Sequence, residues 1–66
     1  MNIIINGKTQ ELEAPYTITQ LLTRMELADE RVAVEYNGDI LSQTNYATTV
    51  LAAGDVLEVV RFVGGG

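Results

Sequence analysis

Cysteine and histidine are missing from this chain of 66 residues, and proline occurs once. Those absences remove disulfides, a thiolate nucleophile, an imidazole base and any good zinc site. Basic residues are scarce as well, four against nine acidic, for a formal charge of −5. That balance disfavours the phosphate neutralisation behind most nucleic-acid binding, so no nucleic-acid partner is expected. A protein partner would meet the acidic surface with a basic or apolar face, although solubility alone accounts for the acidity equally well. No apolar run is long enough to cross a bilayer, and the first residues lack the basic region, apolar stretch and cleavage site of an export signal. The expectation is a soluble, cytoplasmic protein without a membrane partner.

Hydrophobic residues make up 47% of the chain and come in short, separated groups. A domain of this size buries only about 60% of the surface its unfolded form exposes. With no disulfide or zinc to help, a single apolar core must hold it.

Ile3, Ile4 and Ile5 form a β-branched run closed by Asn6-Gly7, a pair that favours the positive φ angles of a tight hairpin turn. Thr9 to Glu13 reads as the returning strand. Pro15 interrupts that pattern, and Thr17 stands as an N-cap before Ile18, Leu21, Leu22 and Met25, whose spacing puts one apolar stripe on a helix of two to three turns. After the charged break Asp29 to Arg31, a strand is expected at Val32 to Tyr36, a turn at Asn37-Gly38 and a short strand at Ile40-Leu41. Ser42 to Thr49 is a surface loop or one helical turn with Tyr46 pointing inward. Gly54-Asp55 forms the last turn, and the nearly continuous apolar stretch Val56 to Val63 suits a central strand.

The resulting fold class is α+β, a β-grasp (ubiquitin-like) arrangement in which one main helix packs on one face of a mixed sheet of four to five strands. The final strand, being the most apolar, belongs in the middle beside the first. Residues 1–63 form the domain, and residues 64–66 are expected as a flexible glycine tail.

No catalytic set emerges. Ser42 has no basic partner that the sequence identifies, and the carboxylates follow neither calcium-loop spacing nor an acid-base pairing. The chain is not expected to be an enzyme, nor to bind a metal or cofactor of its own. The glycine run is not followed by the helix a phosphate loop requires. What stands out is an apolar strand leading directly into Gly64, Gly65 and Gly66. Glycine lacks a Cβ and can thread a narrow cleft, and three extended residues reach about 10 Å. The Gly66 carboxylate could thus enter a partner's active site as a substrate. It would need activation by an ATP-dependent partner before a nucleophile could displace AMP.

Taken together, Asn6-Gly7, the helix Ile18 to Met25, the segment Val32 to Gly38, the Gly54-Asp55 turn and the closing Val59 to Gly66 resemble the ThiS family of sulfur carriers in thiamine biosynthesis. The resemblance covers essentially the whole chain. It implies that a ThiF-like adenylating enzyme, using ATP and magnesium, activates Gly66. A cysteine desulfurase or another donor then supplies sulfur for a thiocarboxylate, which a ThiG-like thiazole synthase consumes in forming the thiazole ring. In this scheme Gly66 is the modified residue, Gly65 threads the partner and Gly64 gives a flexible approach. The alternatives are a MoaD-like molybdopterin sulfur carrier, a ubiquitin-like modifier conjugated through Gly66, and an interaction domain with an inert tail.

Strand alternation adds a docking hypothesis. If Leu57 and Val59 face the helix, then Val56, Glu58, Val60 and Phe62 face the other way, together with Ile4 and Ala33. This apolar patch would receive partners unless the loop after Leu41 shields it.

Overall fold

Both Asn-Gly pairs turn the chain as their composition demands. In the computed structural model, which describes residues 1–63, all four of these residues take left-handed φ, from 51° at Asn37 to 91° at Gly38. The first pair joins β1 (Asn2–Ile5) to β2 (Lys8–Glu11), and the second joins β3 (Val32–Tyr36) to β4 (Asp39–Leu41). Such φ values at two successive central residues are those of the turn whose twist matches the flanking strands.

A seven-residue helix, α1 (Ile18–Arg24), lies between the hairpins. Thr17 caps it as its sequence position indicates, and Gln20 completes a reciprocal box: the Thr17 hydroxyl accepts from the Gln20 N–H, and the Gln20 side chain accepts from the Thr17 N–H. Two otherwise unpaired helix-start donors are thereby satisfied. At the far end Glu26 takes a φ of 61°. The Leu27 N–H reaches back to the Leu22 carbonyl and the Glu26 N–H to that of Thr23. This is a Schellman ending with glutamate where glycine is usual.

The last strand, β5 (Val56–Arg61), enters the middle of the sheet, giving the order β2-β1-β5-β3-β4. It runs parallel to β1 and antiparallel to β3, so the sheet is mixed. The expected central placement holds, but the strand stops at Arg61 and not at Val63. The stop falls where the remaining neighbour runs out: the β1 register covers only Val56 and Leu57, β5 then continues against β3 alone, and β3 begins at Val32, the partner of Arg61.

Helix residues Ile18, Leu21 and Leu22 meet Ile3, Ile5, Val34, Leu57 and Val59 from the sheet in one core. Tyr46, which follows a 3-10 turn at Gln43–Asn45, and Leu51 close that core from the side. The segment is stitched to the start of the helix, with the Ile18 N–H on the Thr49 carbonyl and the Thr19 N–H on that of Tyr46. Tyr46 therefore points inward as expected. The helix and this segment occupy the same side of the sheet, which leaves the other side open.

Candidate functional site

Register sorts the strand residues between the two faces. Ile3, Ile5, Val34, Leu57 and Val59 are buried toward the helix. Their alternates are Asn2, Ile4, Thr9, Glu11, Ala33, Glu35, Ile40, Val56, Glu58 and Val60, and these share the open face. Ile4, Val56, Val60 and Ile40 are all exposed there, Val60 at 55% of its full area. Ala33 is half-buried beside Val60, its register partner. Of the six residues expected on the docking patch, Ile4, Ala33, Val56, Glu58 and Val60 thus come together on one uncovered surface. The loop after Leu41 lies on the helix side and does not shield it.

Phe62 differs. It follows the last residue of β5, where the two-residue alternation loses its hold. Its N–H still donates to the Arg31 carbonyl. Phe62 is 58% exposed and lines a groove of about 410 Å³ together with Leu22, Leu27, Val32, Tyr46 and Ala47, which reach it from the helix side. It stands at the end of the sheet, between the two faces. Val63, beyond it, is 78% exposed. Gly64, Gly65 and Gly66, named above as the threading and modified residues, lie outside the described residues.

The start of β5 carries an arrangement that goes beyond the turn expected at Gly54-Asp55. Asp55 is buried, and its carboxylate accepts from the Tyr36 hydroxyl at 2.7 Å, the Ala52 N–H at 2.7 Å and the Asn37 side-chain amide at 3.1 Å. Asn37 in turn accepts from the Val56 N–H at 2.8 Å. Burial alone would raise the Asp55 pKa, but the hydrogen bonds from Ala52, Tyr36 and Asn37 outweigh it and hold the carboxyl below its ordinary value. The Tyr36 hydroxyl is pushed up, first by that hydrogen bond, then by burial and the neighbouring charge. Asn6 does for β1 what Asn37 does for β3: its side chain accepts from the Val59 N–H at 2.8 Å and donates to the Val59 carbonyl at 3.1 Å. Both turn asparagines therefore grip the same strand. The Asn-Gly pairs announced the turns, while only the fold shows where the asparagine side chains go.

Among the described residues no three acidic side chains gather to hold a metal ion. Apart from Asp55, no polar or charged residue among the described ones is buried. What the arrangement offers is a firmly held central strand that runs out of its sheet toward the closing glycines, beside a broad open face.

Those features define a one-helix β-grasp domain with one covered and one open sheet face. A sequence profile of the ThiS family matches residues 3–66, and the chain belongs to that family. It is 42% identical over 63 residues to the sulfur carrier protein ThiS of Bacillus subtilis, covering 94% of this chain and 96% of that one. A solved structure of the thiamine biosynthesis protein ThiS from Geobacter metallireducens superposes with a TM-score of 0.84 at 33% identity, over the full length of both chains. The chain is also 38% identical over 66 residues to a thiazole synthase of Paramagnetospirillum magneticum, of whose length it spans only 20%. No helix among the described residues is long and apolar enough to cross a membrane.

Proposed function

We propose that this chain is the sulfur carrier for thiazole formation in thiamine biosynthesis, with the Gly66 carboxyl as the group that bears the sulfur. The observation that carries the reading is the course of β5. It is anchored in the core at Leu57 and Val59, then loses its β1 neighbour, and by Phe62 and Val63 it is exposed and heading into Gly64-Gly65-Gly66. Family membership gives that course its meaning.

In the proposed cycle a ThiF-like enzyme uses ATP and magnesium to convert the Gly66 carboxylate into an acyl adenylate, releasing pyrophosphate. Adenylation is needed because a carboxylate is a poor acyl donor. A persulfide that carries sulfur from a cysteine desulfurase or another donor attacks the acyl carbon through its outer sulfur and displaces AMP, giving an acyl disulfide. A thiol then reduces the S–S bond, forming a disulfide with the donor and leaving the thiocarboxylate. The thiazole synthase then takes the sulfur, and the carrier is recovered. Gly65 and Gly64 contribute only their lack of side chains, which lets a narrow channel close around the backbone. The chain supplies no acid, base or nucleophile, so it acts as a substrate and not as an enzyme.

Docking would use the open face, where Ile4, Ala33, Val56 and Val60 offer apolar area on a sheet without a second helical layer. The test of the cycle is incubation with the adenylating enzyme of the same organism, ATP and magnesium, followed by intact-mass measurement. The expected product is a terminal adenylate, and adding the sulfur donor should replace one oxygen with sulfur. Deleting Gly65 and Gly66 should abolish both. Branched adducts on lysines of other proteins, without a thiocarboxylate, would instead identify a protein modifier.

A further inference from the structure

The open face has a charge problem at its centre. Glu35 on β3 and Glu58 on β5 are register partners and both are exposed. Like charges directly opposite each other on neighbouring strands destabilise a sheet, and a strand pair usually avoids them. Glu11, which pairs with Asn2 on the same side, adds a third carboxylate. No strand residue on this face is basic: Lys8 pairs with Ile5, and Arg61 with Val32, which puts both cations on the helix side. Arg61 is taken by Glu30, at 3.3 Å. Around the two glutamates lie Ile4 and Val56 along one flank, Ala33 and Val60 along the other, and Ile40 at the edge as the other register partner of Glu35.

An acid pair framed by exposed apolar side chains has a specific complement. It is a protein surface that is apolar except for one cationic side chain set to fall between the two carboxylates. We propose that the thiazole synthase presents such a surface, most suitably with an arginine, whose guanidinium fork can satisfy both carboxylates at once. The synthase is chosen over other partners because the Paramagnetospirillum thiazole synthase contains, within one polypeptide, a stretch matching this whole chain. The repulsion tolerated in the free carrier then becomes selectivity. Glu35-Glu58 rejects surfaces that cannot neutralise it, and the right cation both relieves the repulsion and sets the register of docking.

The inference rests on the reading that the open face is the docking face, and the experiment separates the two. Binding of the carrier to the thiazole synthase of the same organism is measured at low and high salt, for the wild type, E35Q/E58Q and V60D, alongside the Tm of each carrier alone. The neutralised pair should raise the carrier's Tm by a few degrees, since repulsion is removed. It should at the same time weaken binding on the order of tenfold to a hundredfold at low salt, with the difference shrinking as salt rises. Opposite signs for stability and affinity are a signature that a merely structural role would not produce. If V60D abolishes binding while E35Q/E58Q binds as well as the wild type or better, the cation falls and the docking face stands. If a folded V60D carrier binds like the wild type, the face itself is wrong and the cation falls with it.

Discussion

Where β5 begins, it has β1 on one side and β3 on the other; where it ends, only β3 remains. At the start Val56 and Leu57 pair with Ile4 and Ile5 across one ladder, and Leu57 with Tyr36 across the other. The Val56 N–H is also taken by the Asn37 side chain, and the preceding Asp55 is tied by three donors. Past Val59, which the Asn6 side chain holds, support comes from the β3 ladder, the Phe62 N–H on Arg31 and the Arg61-Glu30 ion pair. The difference teaches how one strand can serve two needs. Its start is fixed in the core of a domain that has no disulfides, and in the proposed carrier role its less supported end is the part a partner would take up. Because β1 ends at Ile5, the second half of β5 keeps β3 as its one strand neighbour.

Removing Asp55 should produce the largest effect on this contrast. Asp55→Ala leaves the Tyr36 hydroxyl, the Ala52 N–H and the Asn37 amide without their acceptor. Losing a buried acceptor of this kind costs about 2–4 kcal/mol, a large share of the stability of so small a domain. Urea unfolding would measure it. A loss below about 1 kcal/mol would mean that the start of β5 is no better held than its end.

The same carboxylate makes stability depend on acid. Its folded pKa is depressed, so its contribution is fully present above the unfolded value of about 4 and is lost as pH falls through the lower folded value. For Tyr36 the folded pKa is raised, so its contribution holds below about pH 10 and disappears as pH climbs through the folded value. Asp55→Asn should therefore flatten the acid limb of the stability profile and leave the alkaline limb shallower. An acid limb unchanged in that variant would assign it to other carboxylates.

The turn asparagines come next in size. Asn37→Ala should cost more than Asn6→Ala, because Asn37 serves both Asp55 and Val56 while Asn6 serves Val59 alone. Each also sits at a positive φ that alanine resists, so about 1–2 kcal/mol is expected at Asn6 and somewhat more at Asn37. Replacing each by glycine keeps the φ and removes only the side-chain bonds, which isolates the grip on β5 from the turn. Equal losses in the two glycine variants would erase the distinction between the two positions.

Much of this was legible in the residues. Asn6-Gly7 and Asn37-Gly38 marked their hairpins, the stripe Ile18-Leu21-Leu22 marked the helix face, and the apolar β5 marked the centre of the sheet. Thr17 marked the helix start, and Gln20 three residues on is the local sign of the full capping box. Glu35 has the same kind of local sign, since alternation puts it on the same side as Ala33 two residues earlier. Other features had no local signal. A left-handed Glu26 at the helix end contradicts the usual preference for glycine and is held by its neighbours' packing. The Asp55 network joins residues 18 and 19 positions apart, so sequence alone could only show a Gly-Asp turn. The stop of β5 at Arg61 falls where β3 begins, at its register partner Val32, and an apolar run cannot report that.

The smallest effect is expected at the exit end. Glu30→Gln removes the ion pair with Arg61, whose two side chains are 43% and 51% exposed. Water and salt already screen such a pair, and ordering two long side chains offsets much of its attraction, so a change of no more than about 0.5 kcal/mol should appear in urea unfolding. Adenylation of Gly66 should proceed at the wild-type rate, because so exposed a pair does little to restrain the strand end that the proposed cycle delivers to a partner. A destabilisation comparable to that of Asp55→Ala would show that the last turn of β5 is as firmly built as its first. In that case delivery of the chain end would require the partner to pry the strand loose, and its rate should rise in the variant; an unchanged rate with a small stability loss would instead fit a strand end that β3 alone holds and that the pair does not restrain.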